Sequence, residues 1–313
     1  MHAVTIEDGA LRWAERPDPE PGTGEVLVRV RAAGLNGADL HQVKGRYPAP
    51  PGWPADVPGM EIAGEVAAAG PGTTTPVGAR VMAVVGGGGQ AQLCLVPESQ
   101  LMAVPDAWGW PEAGGFPEVF MTAHDAVFTQ AGLGLGERLC VHGAAGGVGV
   151  AAVQLGVAAG ASVVATVRSP ERRDDVAALG ATVVAPEDFG DHGPYDVVLE
   201  LVGATNLGAN LAALAVGGRI SIIGIGSGTK GELDLRLLMA KRGRIHGSTL
   251  RARSLADKAL AARALERHVL PLVAGGRIRV PIAATYPLAD AAAAYERFAA
   301  GSKFGKVVLL DEG

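Results

Sequence analysis

A glycine-rich turn between an apolar strand and a small-residue helix is the first chemical signal in this chain of 313 residues. Residues 138–149 read RLCVHGAAGGVG, with Ala144-x-Gly146-x-x-Gly149 at the turn, and 150–159 (VAAVQLGVAA) continue as a helix. Without bulky side chains there, backbone N–H groups and the helix N-terminus can face a pyrophosphate, as in a dinucleotide fingerprint. Alanine takes the fingerprint's first place, and Ala145, Gly146, Gly147 and Val148 are the candidate backbone contacts. The next strand, 161–167, ends where an acidic residue would grip a ribose 2′-hydroxyl. Here the chain reads Arg168, Ser169, Pro170, Glu171, Arg172, Arg173. Cations at that point suit a 2′-phosphate, so the expected cofactor is NADPH, held by Arg168, Ser169 and Arg172.

Two kinds of element must position this site. The first hundred residues carry short apolar runs, at 25–31, 61–66, 80–85 and 91–96, separated by Pro and Gly clusters. That spacing predicts a compact antiparallel barrel or sandwich. The four-glycine run Gly86 to Gly89 reads as a loose loop. After about Glu112, helices and strands alternate, which predicts βαβ units and a doubly wound parallel sheet, an α/β fold. Ser169 is placed to cap a helix that Gly180 closes, and Ser254 with Asp257 to open a long helix that Pro271 kinks or stops. Residues 288–300 read as helix and 305–310 as strand.

Composition narrows the function. A net charge of −5 argues against general nucleic-acid binding. One basic cluster stands out (Lys241, Arg242, Arg244, His246, Arg251 and Arg253), either a solvated loop or a contact to phosphates or a second subunit. Two cysteines exclude a disulfide framework and suit a reducing compartment. The start carries acidic residues and no apolar core of a signal peptide, so a cytoplasmic protein is expected. The uncharged stretch 139–167 is broken by glycines, His142 and Gln154, and reads as two strands and a buried helix rather than a membrane span.

Several segments together resemble the zinc-independent quinone oxidoreductases of the medium-chain dehydrogenase/reductase family. They are 33–39 (AGLNGAD), 44–48 (KGRYP), 57–64 (VPGMEIAG), 87–92 (GGGQAQ) and the 144–149 turn (AAGGVG). Residues 241–251 and 303–308 are similar to the p53-inducible quinone oxidoreductase-like branch. The resemblance implies a GroES-like catalytic domain, 1–116 completed by 276–313, and a Rossmann domain, 117–275, with the nicotinamide in the cleft between them. It also implies that Asn36 and Met60 stand where zinc-dependent relatives carry cysteine and histidine; amide and thioether are poor zinc ligands, so no metal is expected.

Chemistry without a metal rests on hydride transfer from the reduced nicotinamide to a quinone or activated alkene. Tyr47, with Asn36 beside it, is the candidate donor to the developing oxyanion. By the same resemblance Thr122 lies near the nicotinamide carboxamide, Gly224, Ser248, Thr249 and Leu250 line its site, and a homodimer forms through sheet edges, possible at 219–224. Asp39 is read as structural, and His142 as core-lining. The leading reading is an NADPH-dependent quinone reductase, with one-electron and two-electron transfer both open. An enoyl or alkenal double-bond reductase and a non-catalytic dinucleotide-binding redox sensor are its rivals.

Overall fold

The computed structural model describes residues 1–311. Its strands are β1 (His2–Glu7), β2 (Ala10–Glu15), β3 (Glu25–Gly34), β4 (Glu61–Ala69), β5 (Arg80–Val84), β6 (Leu93–Pro97) and β7 (Met102–Ala103). They continue with β8 (Arg138–Val141), β9 (Ser162–Thr166), β10 (Thr182–Val184), β11 (Tyr195–Glu200), β12 (Leu214–Ile222), β13 (Arg244–Gly247), β14 (Ile282–Pro287) and β15 (Lys306–Leu310). The helices are α1 (Gly37–Val43), α2 (Trp110–Gly114), α3 (Pro117–His124), α4 (Gly147–Ala158) and α5 (Arg173–Ala177). They end with α6 (Leu207–Ala212), α7 (Leu235–Lys241), α8 (Leu255–His268), α9 (Leu270–Ala274) and α10 (Ala291–Ala299).

Six parallel strands in the order β10-β9-β8-β11-β12-β13 form one sheet. This is the doubly wound unit, with β8 and its glycine turn at the centre and the crossover helices around it. The second sheet, β14-β15-β3-β4-β5-β7 with β6 also on β3, is mostly antiparallel. It takes strands from both chain ends: β15 pairs antiparallel with β3, and β14 runs parallel to β15. β3 carries partners on both edges and is buried along most of its length.

One core cluster joins the two sheets. Met82, Met102 and Phe116 of the first region pack with Phe120, Leu139, Val153 and Leu199 of the second. The Phe116 and Phe120 rings stack at 4.6 Å. α3 lies at this junction and leads into a wider π-helical turn, Asp125–Gln130.

Local signals act as their chemistry requires at some ends and not at others. The Ser254 hydroxyl accepts the Asp257 N–H at 3.1 Å and opens α8. Pro271 falls in the first turn of α9, so the long helix stops at His268 rather than bending. Ser169 makes no capping bond; Pro170–Arg172 form a 3₁₀ turn and only then does α5 begin. The run Gly86 to Gly89 is a correction: it is buried, not loose. A methyl on Gly86 would lie 2.5 Å from the Trp53 ring, and one on Gly89 2.9 Å from Ile62 Cγ2. The glycines are there because two surfaces meet closely. The 219–224 segment is a second correction, since β12 lies inside the sheet and β13 is its edge.

Candidate active site at the junction of the two sheets

The turn after β8 shows why alanine is tolerated at position 144. The residue with positive φ is Gly143 (φ +64°), one place earlier. Ala144 is fully buried, and its N–H donates to Thr166 O at 3.1 Å. Gly149 supplies the close approach: a methyl there would lie 2.6 Å from Gly143 O and from Ala144 Cα. Gly146 is the N-cap of α4, and Val150 N–H donates to its carbonyl at 2.8 Å. The N–H groups of Gly147, Val148 and Gly149 therefore have no partner within the helix. Ala145 to Val148 are only partly buried, so this backbone is open to a ligand.

Against this turn lies a cluster of polar side chains from four separate segments. A methyl on Gly147 would fall 2.8 Å from Val119 Cγ1 on α3 and 3.0 Å from Lys306 Cδ on β15. Gly305 N–H donates to Ala145 O at 3.2 Å. The Lys306 ammonium donates to Leu35 O at 2.8 Å, Asn36 Oδ1 at 2.7 Å and Glu61 Oε1 at 2.6 Å. Asn36 Nδ2 donates to the same Glu61 oxygen at 2.8 Å. The other Glu61 oxygen accepts Glu118 N–H at 2.9 Å, which fixes the start of α3. Glu118 Oε1 accepts the Thr122 hydroxyl at 3.1 Å.

Electrostatics follow from this arrangement. Burial and the nearby Glu61 carboxylate push the Glu118 carboxyl up to about 7, against the pull of Lys306. Burial raises Asp39 to about 6. One Asp39 oxygen accepts Asn36 N–H at 2.8 Å, closing a capping box at α1, and the other has no hydrogen-bond partner among the described residues.

The predicted site residues divide. Asn36, Thr122, the glycine turn and Tyr47 gather at the junction. Tyr47 is half-buried, its phenol is raised by burial, and it feels the charges of Glu118 and Arg251. The buried Arg251 guanidinium lies 5.3 Å from the Tyr47 ring and donates to Tyr47 O, Gly86 O and Gln42 Oε1. Arg168, Ser169 and Arg172 stand at the end of β9. Arg168 is exposed and has no polar partner among the described residues, whereas Arg172 donates to Asp175 Oδ2 and Ser302 O, each at 3.2 Å. Ser302 meets Ser169 Oγ at 3.2 Å.

Further along, roles separate from expectation. Gly224 abuts Leu201, whose carbonyl oxygen would lie 2.0 Å from an added methyl. Ser248 lies within reach of Asp125 and Arg253, Thr249 is exposed, and Leu250 belongs to the core. His142 is buried between Asn210 Oδ1 (2.8 Å) and Thr166 Oγ1 (3.1 Å). The basic cluster does not form one patch. Lys241 donates to Leu214 O, Arg251 crosses to the other sheet, and Arg253 pairs with Asp125. Glu118, Glu61 and Lys306 are site residues that motif reading missed. The available signal was a lone lysine heading the apolar strand KVVLL and a glutamate opening the buried run EIAG.

A description of alcohol dehydrogenase GroES-like domains matches residues 22–130, and one of zinc-binding dehydrogenases matches residues 174–309. The quinone oxidoreductase of Pseudomonas aeruginosa is 32% identical over 96% of this chain and 95% of its own. A mycobacterial protein solved in complex with NADPH superposes with a TM-score of 0.88 at 30% identity, covering 99% of this chain and 100% of that one. Polyketide synthase GfsB of Streptomyces halstedii is 33% identical over 96% of this chain, which spans only 5% of that much longer protein. Fold, junction and matches define the class: an oxidoreductase built as a medium-chain dehydrogenase/reductase. Within that class the chain belongs to the quinone oxidoreductase family.

The residues do not fit the zinc ion named in one of these descriptions. Both ends of the Asn36 amide are committed to Lys306 and Glu61, and Met60 is a buried thioether. The Lys306 ammonium, seated on the Glu61 carboxylate, repels a divalent cation at that donor. Among the described residues no three His, Cys, Asp or Glu side chains gather as a metal site.

Proposed function

We propose that this protein is an NADPH-dependent quinone reductase that needs no metal ion. The observation that carries the reading is the Lys306 ammonium on Asn36 and Glu61, packed by its stem against the dinucleotide turn. A fixed positive charge stands where zinc-dependent relatives carry a Lewis acid, so the acceptor must be one that takes hydride without metal polarisation. A quinone does so, because the charge spreads onto its carbonyl oxygen.

Bound NADPH supplies the hydride. The unpartnered N–H groups of Gly147, Val148 and Gly149 hold its pyrophosphate. Arg168, Ser169 and Arg172 hold the 2′-phosphate. Thr122 and Ser248 flank the ring, and Tyr47 donates a hydrogen bond to the oxygen that becomes anionic. Arg251, tied to both Gly86 and Tyr47, keeps the Tyr47 loop against the other half of the molecule. We divide the chain by sheet membership, 1–116 with 276–313 and 117–275.

The test is NADPH oxidation with a 1,2-quinone, a 1,4-quinone and an α,β-unsaturated ketone, before and after dialysis against a chelator. Turnover on a quinone that survives the chelator is the expected result. Preference for the ketone would move the reading to a double-bond reductase. Tight NADPH binding with no turnover would move it to a redox sensor.

The reading includes a homodimer. The outer edge of β13 pairs with no strand among the described residues, and Met239 on the neighbouring α7 is 77% exposed. Light scattering is expected to give twice the chain mass; the mass of a monomer at micromolar concentration would exclude it. Both cysteines are buried free thiols, which suits the cytoplasm. No helix of the described residues is long and apolar enough to cross a membrane.

A further inference from the structure

Glu118 occupies the second position of α3, directly behind Pro117. Its N–H is anchored on Glu61, so the backbone that carries its side chain is held on β4. One carboxyl oxygen accepts the Thr122 hydroxyl. The other makes no hydrogen bond among the described residues, and the residue is only half-buried, so this oxygen has access to the junction. The charged and titratable groups facing Glu118 are Glu61 from β4, Lys306 from β15, Asp39 from α1 and Tyr47 from the loop after α1.

Lys306 does not neutralise Glu118 by contact. Its three protons are spent on Leu35 O, Asn36 Oδ1 and Glu61 Oε1. An ionised Glu118 would therefore face the Glu61 carboxylate with a single hydroxyl to support it. Protonation removes that repulsion and creates an O–H donor on the oxygen that has no other partner among the described residues. Burial acts in the same direction, and the group titrates at about 7. An acid poised near the working pH is suited to proton transfer.

We propose that Glu118 is the proton donor of the reductase site, delivering its carboxyl proton to the acceptor after hydride transfer. This assignment rests on the reductase reading above. The acceptor takes two electrons and one proton as hydride from the reduced nicotinamide, which is oxidised, and a quinone thereby becomes a hydroquinone monoanion. The Glu118 O–H bond breaks, an O–H bond forms on the anionic oxygen, and the carboxylate left behind takes a proton from water. Thr122 is a positioning residue, since its hydroxyl holds the carboxylate formed in that step.

Glu118→Gln preserves shape and the Thr122 contact but has no acidic proton. Product formation in a single turnover at about pH 6 is expected to fall about 10²-fold, with NADPH affinity nearly unchanged. The sign of the pH dependence follows from the acid role. The donor is present below about 7 and lost above it, so the wild-type rate falls as pH rises through that value and the variant's does not. Thr122→Val removes support for the carboxylate and moves the wild-type limb to higher pH. In protein carrying 13C-labelled glutamate, one carboxyl carbon should titrate near neutrality and be missing from E118Q. A folded E118Q with wild-type rate and pH profile, or no such titrating carboxyl, overturns the assignment and leaves the reductase reading standing. A wild-type protein inactive on every acceptor overturns both.

Discussion

Replacing Lys306 with methionine is expected to cost about 3–5 kcal/mol of folding stability, the loss typical when one partner of a buried ion pair is removed. The side chains of Lys306 and Glu61 are 3% and 0% exposed, and their N···O distance is 2.6 Å. Methionine keeps most of the stem that packs on Gly115 and Gly147, so the change removes mainly charge and donors. Without the ammonium, Glu61 Oε1 retains only the Asn36 amide, and Leu35 O and Asn36 Oδ1 lose a donor. The stranded carboxylate accounts for most of the loss, and K306M combined with Glu61→Gln should recover part of it, as a double-mutant cycle would show. Urea denaturation should report a lower midpoint at similar slope. A loss below about 1 kcal/mol would mean that the pair is not held as described. The same substitution has a second consequence. Lys306 is the largest influence lowering the Glu118 carboxyl, so its removal raises that group further and moves the acid-dependent limb to higher pH.

Why the sequence reveals the turn but not this pair is a matter of range. The dinucleotide turn is local: strand, glycines and helix follow within a few residues, and each constraint acts on its neighbours. Pro271 and Ser254 act locally too, and α8 starts and stops where they require. The β-rich start and the late return to strand were likewise visible as patterning, though the pairing of β15 with β3 joins residues as far apart as Ala32 and Leu310. The polar cluster has no such signature. Glu118 sits in a helix's first turn, where an acidic residue favours the helix whatever else it does. Lys306 looks like a solvated strand end until β15 is laid against β3. Charge density misled in the opposite sense. Lys241, Arg251 and Arg253 are close in sequence, yet each is drawn to a different acceptor on a different element. The glycine run 86–89 looked loose because glycine permits both freedom and close approach, and only the neighbours, Trp53 and Ile62, decide which.

Converting both Arg168 and Arg172 to alanine is expected to weaken NADPH binding at least about tenfold while leaving NADH almost unchanged. A hydrogen bond to a charged group is worth about 1.5–3 kcal/mol, and 1.4 kcal/mol is about tenfold. Two such contacts do not count in full here. Arg172 is already held by Asp175 and the Ser302 carbonyl and must loosen one of them to meet a phosphate. Exposed pairs of that kind contribute about 0–1 kcal/mol, so the exchange remains favourable but smaller. Arg168 has no competing partner among the described residues and should carry the larger share, so Arg168→Ala alone is the more damaging single change. Once both cations are gone, Arg173, bonded to Val167 O, remains at this end of the strand together with Glu171. The hydrogen bond from Ser302 holds the Glu171 carboxyl below the usual range, so it stays ionised at neutral pH, repels a 2′-phosphate and can accept a hydrogen bond from a ribose hydroxyl. The double variant should therefore change in selectivity more than in overall nucleotide affinity. On the proposed reading, selectivity for NADPH should also shrink with added salt, because Arg168 is exposed. Calorimetric titration with both nucleotides distinguishes these outcomes: equal weakening of the two would place the arginines outside the 2′-phosphate site.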